Sequence, residues 1–282
     1  MKRKITAFTL VELLTVLAII TMLVGLLVPS MATVRRFARE TKQKAQLTTM
    51  DLALTAFRED YGEYPPSEYE GLFFPDYCGA QKLAEALLGW DLMGFHPDSD
   101  FRANGHNDQA VFVYDPADPV LFGQRRGPYL ELGTANAFRL GVSGPGMNDG
   151  LFVDPAPLAA GTFVICDVFG VRKITLANGR TVTAGTPILY FQANAASKIY
   201  DGGTDASIYR HTDNQVLLGL PVLADPTKTQ HRLYDRDYFY DVYIRDPKVG
   251  IPWPYRPDSY ILISAGYDGE YGTADDITNF GN

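Results

Sequence analysis

The chain has 282 residues, 46% hydrophobic and 21% charged, which is ordinary globular composition and enough for a real core in one or two domains. The net charge of -8 argues against nucleic acid as the main partner, because phosphate binding needs clustered Lys and Arg. The positive charge that exists is placed early: Lys2, Arg3 and Lys4 precede the first apolar run, and Arg35, Arg36, Arg39, Lys42 and Lys44 follow it.

That run, Phe8 to Val28, has 21 residues, and a bilayer core needs about 20 in helix. The basic cluster at 2–4 favours a cytoplasmic start, while the rival cluster at 35–44 weakens the charge rule. One carboxylate, Glu12, interrupts the apolar run. Three readings compete. A secretory signal cut after Ser30-Met31-Ala32 fits the small-x-small rule, but its apolar core is long and carries an acid. A plain anchor leaves Glu12 unexplained, at roughly 2.5 to 3.5 kcal/mol for an acid in hydrocarbon. A cut between Ala7 and Phe8 creates a new α-amine at Phe8, and in a bundle Glu12 of one subunit then pairs with the Phe8 amine of its neighbour.

The segment KITA-FTLVELLTVLAII resembles the leader and N-methylation segment of type IV pilins and type II secretion pseudopilins. The basic leader, Phe8, Thr9, Leu10, Glu12 and the apolar run carry the resemblance, and Pro29 falls where that family often places a proline. Ala7 stands where the family usually has Gly. The resemblance implies a leader at 1–7 removed by a prepilin peptidase, methylation at Phe8, and assembly through Phe8 and Glu12.

Between Pro29 and Tyr61 there is no glycine and no further proline. Val34, Phe37, Thr41, Ala45, Thr48, Leu52, Ala56 and Phe57 recur at helical spacing, so the helix is expected to continue to Gly62 with an amphipathic second half. The loop after it, with Tyr64, Pro65, Glu70, Gly71 and Leu72, resembles the corresponding segment of major pseudopilins. Residues 80–93 read as a short amphipathic helix with Leu83, Leu87, Leu88 and Trp90 toward the core. Residues 95–108 are polar and turn-rich, with His96, Asp98, Asp100, His106 and Asp108. A solvated loop is favoured there over a metal site, since tight ligand spacing is lacking.

From 110 to 193, VFVYD, GPYLEL, GTFVICDVFG, VRKITL and PILYFQAN are strand candidates, and Asn178-Gly179 marks a hairpin. The DVFG and GTPILYF pieces resemble a pseudopilin turn and strand with an insertion between them. Residues 194–230 read as a surface insertion, and 232–243 and 258–264 as further strands. Cys78 and Cys166 pair if the domain is exported to an oxidising space, although their spacing fixes no distance. No GxSxG, HExxH, Walker A or CxxC motif occurs, and the histidines at 96, 106, 211 and 231 are scattered, so no enzyme is expected.

The C-terminal loop, 264–280, gathers Asp268, Glu270, Asp275 and Asp276 among glycines at 266, 269 and 272. Carboxylates and inward carbonyls are what calcium requires, although EF-hand spacing is absent. Ser264, Gly266, Asp268, Gly269, Asp276, Ile277 and Phe280 resemble the calcium loop of major pseudopilins, which implies Ca²⁺ held by Asp268, Asp275 and Asp276, with Glu270 a weaker candidate.

The expectation is an α+β, pilin-like fold: a long N-terminal α-helix, membrane-spanning in its first half, packed on an antiparallel β-sheet with inserted loops. The divisions are 1–7 leader, 8–28 transmembrane and filament-core helix, 29–61 amphipathic continuation, and 62–282 extracytoplasmic domain. The resemblance implies a structural subunit of a type II secretion pseudopilus or related filament, single-pass in the inner membrane before assembly. Its partners are then the peptidase, its own copies and other pseudopilins, an inner-membrane assembly platform, and lipid. The alternatives are a type IV pilin for adhesion or motility, and a tethered binding or hydrolase domain that borrows the export signal.

Overall fold

The computed structural model describes residues 9–69, 76–201 and 206–281, and it divides into two compact units, one ending at Thr41 and one running from Lys42 to Asn282. Helix α1 covers Leu10–Tyr61, 52 residues. Its start is fixed by Thr9 and Glu12. The Thr9 hydroxyl accepts from the Glu12 N–H (3.2 Å), and the Glu12 carboxylate accepts from the Thr9 N–H (2.9 Å). This reciprocal pair is a capping box, which satisfies orphan donors at a helix start.

The expected membrane span is corrected. Among the described residues no helix is long and apolar enough to cross a membrane. The single-pass inner-membrane placement falls with it.

The second unit is built around a short helix, α2 (Gly79–Leu88), whose ten residues are all buried, Lys82 and Glu85 included. It supplies Ala80 to one apolar cluster, Leu83, Ala84, Leu87 and Leu88 to a second, and Ala86 to a third. The short amphipathic helix expected over 80–93 is therefore buried on every face, and it ends at Leu88. Gly79 lets it approach the strand Leu189–Gln192 directly, because a Cβ there would lie 2.3 Å from the Tyr190 carbonyl oxygen.

The expected single antiparallel sheet is also corrected: among the described residues the strands form three small sheets. β1 (Ala137–Arg139) pairs with β2 (Phe163–Ile165). β3 (Arg172–Thr175) and β4 (Thr181–Ala184) form the hairpin expected at Asn178-Gly179, with Gly179 at φ +77°. β5 (Leu189–Gln192), β6 (Tyr260–Ser264) and β7 (Ile277–Thr278) make the largest sheet, all pairs antiparallel, with β6 wholly buried at its centre.

Three strand candidates are not strands, for local reasons. In 111–115 and beyond, Asp115 takes the Ala117 N–H (2.8 Å) and Asp118 caps helix α3 (Pro119–Gln124). In 127–132, Pro128 has no N–H to give a ladder, and a short helix α4 (Leu132–Ala135) follows. In 232–243, Asp235 accepts from the N–H groups of Asp237 and Tyr238, and the aromatic run becomes a sequence of helical turns that includes α6 (Arg236–Tyr238). The supposed surface insertion contains α5 (Thr212–Leu218), with Leu217 and Leu218 in the core.

Within the second unit, α1 buries Gln43, Leu47, Met50, Leu54 and Phe57. That is a 4-3-4-3 stripe, which meets the expected one at Phe57 and departs from it before that. Leu52 is 69% exposed, and in the first unit Phe37 is 70% exposed. Cys78 and Cys166 are free, buried thiols, so the disulfide that export would permit is not formed here. Both sit in one apolar cluster as small hydrophobes, and burial pushes the Cys78 thiol up to about 12.

Candidate functional site

Two regions carry the residues singled out by sequence. The first is the N-terminal helix. Leu10, Val11, Leu13, Leu14, Val16, Leu17, Ile19, Ile20, Met22 and Leu23 are all exposed. A soluble monomer rarely shows so large a contiguous apolar surface, and such surfaces mark places where another molecule packs. Glu12 lies at the helix start, and the N–H and hydroxyl of Thr9 hold its carboxyl below the usual range. Ala7 and Phe8 lie outside the described residues.

The second region is the C-terminal loop after β6. Its two limbs touch at Gly266, where a Cβ would lie 2.1 Å from the Asp275 carbonyl oxygen; φ there is +66°. Asp275 fills the loop. One oxygen accepts from the Tyr267 N–H (2.8 Å) and the Asp268 N–H (3.0 Å), and the other from the Thr273 hydroxyl (2.6 Å). Asp276 accepts from the Gly272 N–H (2.8 Å) and from the Tyr243 hydroxyl. Glu270 turns away and pairs with Lys228. Asp268 takes the Glu270 N–H (2.9 Å), and burial raises its carboxyl, with the neighbouring Asp275 charge adding to the rise. Burial pushes the Asp276 carboxyl up to about 7.

Asp275 and Asp276 accept from donors in and beside the loop, and Glu270 faces a lysine. Among the described residues no group of three or more His, Cys, Asp or Glu is arranged to hold a metal. The other metal candidate is equally local: the His96 ring takes the Asp98 N–H (3.1 Å), the His106 ring meets the Asn104 carbonyl (2.9 Å), and Asp108 pairs with Arg102.

Sequence reasoning missed three residues that organise this unit. Asp167, fully buried, accepts from the N–H groups of Phe169 (3.0 Å) and Thr186 (3.1 Å) and from the Ser264 hydroxyl (3.2 Å), tying the DVFG turn to β6. Burial raises its carboxyl well above the usual range. Asp213 and Ser67, from distant parts of the chain, share a buried hydrogen bond of 2.5 Å. Only the run DVFG signalled any of this, as a turn. The remaining histidines are structural: His211 meets the Leu233 carbonyl (2.9 Å) and His231 takes the Tyr271 N–H (3.2 Å). Among the described residues no nucleophile, base and orienting acid come together.

Compared with protein-family models, with curated proteins and with solved structures, the chain matches none. The function therefore rests on the chain's own residues.

Proposed function

We propose that this protein is a structural subunit, not an enzyme, that assembles with copies of itself into a filament through its N-terminal helix. One observation carries the reading: an apolar helical surface from Leu10 to Leu23 stands exposed, with a single acid at its start. Packing such helices together removes that surface from water at roughly 25 cal/mol per Å². Head-to-tail contact of this kind produces an open filament when its rotation does not close into a ring. The pilin-like segment around Ala7, Phe8 and Glu12 supports the reading, with cleavage before Phe8 freeing an amine for a neighbour's Glu12. A type II secretion pseudopilus is the assembly this segment most resembles.

The capping box sharpens the test. Glu12→Gln keeps a side chain that caps, but removes the charge; Glu12→Ala removes both. Filaments are counted by electron microscopy, and the mature N-terminus is read by intact mass. A chain beginning at methylated Phe8, with filaments lost in both variants, is the expected result. A chain beginning at Met1 or Thr33, with no filaments in the unaltered protein, would overturn the proposal.

A further inference from the structure

Outside both regions just described lies a cavity of about 400 Å³ in the second unit, between the end of α1, the loop after it, β5 and the start of α5. Its walls include Ser67, Gln192 and Asp213. These three form a fixed chain: the Gln192 N–H donates to the Ser67 hydroxyl (2.8 Å), which donates to Asp213 Oδ2 (2.5 Å). Asp213 is 1% exposed. Its second oxygen, Oδ1, has no hydrogen-bond partner among the described residues. A buried acceptor left without a donor costs about 1 to 3 kcal/mol, more when charged. Proteins keep such a group where something else completes it.

The charges around the cavity indicate what that is. Its walls carry Glu63, Glu68, Asp213 and Asp258 against Arg58 and Arg210. Arg210 is committed to Glu68 (2.8 Å), and Arg58 lies over the Tyr64 ring (4.9 Å). Four carboxylates against two guanidiniums leave an excess of two in these walls, so a cation is favoured. A multivalent metal ion is disfavoured, since among the described residues no group of three ligands converges. A guanidinium wants both carboxylate oxygens for its fork, and Ser67 already holds one of them. An ammonium is a compact point charge that needs one strong acceptor and tolerates water at its other donors. The cavity is also much larger than an ammonium alone, which leaves room for an alkyl stem.

We propose that this cavity binds a primary alkylammonium group, with Asp213 Oδ1 as its anchoring acceptor and the acidic rim adding attraction. Asp213 and Ser67 are 146 positions apart and meet only in the fold. The ammonium has two sources with one chemistry, a lysine side chain on a polypeptide or a free amine.

The test titrates the full chain at pH 8 with n-butylammonium, with an acetylated and amidated Gly-Lys-Gly peptide, and with tetramethylammonium, and follows the Asp213 carboxyl carbon by NMR. Saturable shifts with the two primary amines and none with the quaternary ion are expected. Tighter binding of the peptide assigns the site to lysine on a polypeptide, and equal binding assigns it to a free amine. Asp213→Asn is expected to weaken binding at least tenfold, with an unchanged amide spectrum as the check on folding. Asp258→Asn at the rim is expected to weaken it two- to threefold, a second check that spares the buried chain. Equal response to tetramethylammonium, no response to either primary amine, or full binding in folded Asp213→Asn would each overturn the proposal.

Discussion

Asp213→Asn has a second consequence, in stability. The Asp213 carboxyl is buried, and burial lifts it from an ordinary 3.8 to about 7. A raised acid binds its proton more tightly in the folded chain than in the unfolded one. Stability from this group is therefore full below pH 4 and is lost as pH rises toward 7. Ionising it in place costs on the order of 4 kcal/mol, an upper figure because water and side chains relax around a buried charge. Asn keeps an oxygen for the Ser67 hydroxyl and has no charge to desolvate. At 2 to 4 °C per kcal/mol for a domain of this size, half of that figure raises Tm by about 4 to 8 °C at pH 8. The assay is thermal unfolding of both proteins at pH 5, 6, 7 and 8. The gain is expected to shrink through pH 7 and to be nearly gone at pH 5. A difference that does not vary with pH, or an Asn variant less stable at pH 8, would refute the reasoning. The same result guards the binding test, because a stabilised variant that no longer binds cannot be failing for want of a fold.

On the acid side His231 acts in the opposite sense. Burial pushes it down to about 3, so its neutral form is held in the fold and stability falls as pH drops below about 6.5; His231→Phe is expected to lower Tm at pH 7, where the Tyr271 N–H loses its acceptor, and by less at pH 4. Leu54→Ala, at a fully buried position, is expected to cost about 2 to 5 kcal/mol in a denaturant melt, whereas Phe37→Ala, on the exposed stretch, is expected to stay within about 0.5 kcal/mol. With Asp268, Asp275 and Asp276 as calcium ligands, chelation is expected to lower Tm and calcium to restore it; superimposed melting curves in calcium and in chelator would remove the metal from the loop. Cys78 and Cys166 are expected to react with a thiol reagent only on unfolding, and rapid labelling of the native chain would contradict their burial.

Local chemistry explains what was legible. The hairpin at Asn178-Gly179 and the strands around 172–175, 189–192 and 260–264 are marked by turn residues and β-branched or aromatic runs, although β5 and β6 meet only in the fold. The aromatic run at 232–243 misleads because Asp235 offers its backbone a nearer acceptor than any strand would. The carboxylates at 268–276 are legible as a cluster, but what occupies their oxygens depends on the path of the loop.

The sequence by itself determined the start of α1, since Thr9 and Glu12 cap it with their own side chains, and the apolar character of the surface that follows. It also determined that the helix runs to Gly62, where φ is +88°. Only the tertiary structure decided which stripe of that helix is buried. Val34–Phe37–Thr41 and Gln43–Leu47–Met50 both fit a 3.6-residue period, and the period says nothing about what packs against either. The burial of α2 on every face, and the meeting of Ser67 with Asp213, were likewise decided by contacts between residues far apart in the chain. Periodicity reports the geometry of one element, whereas burial and hydrogen-bond partners belong to pairs of elements.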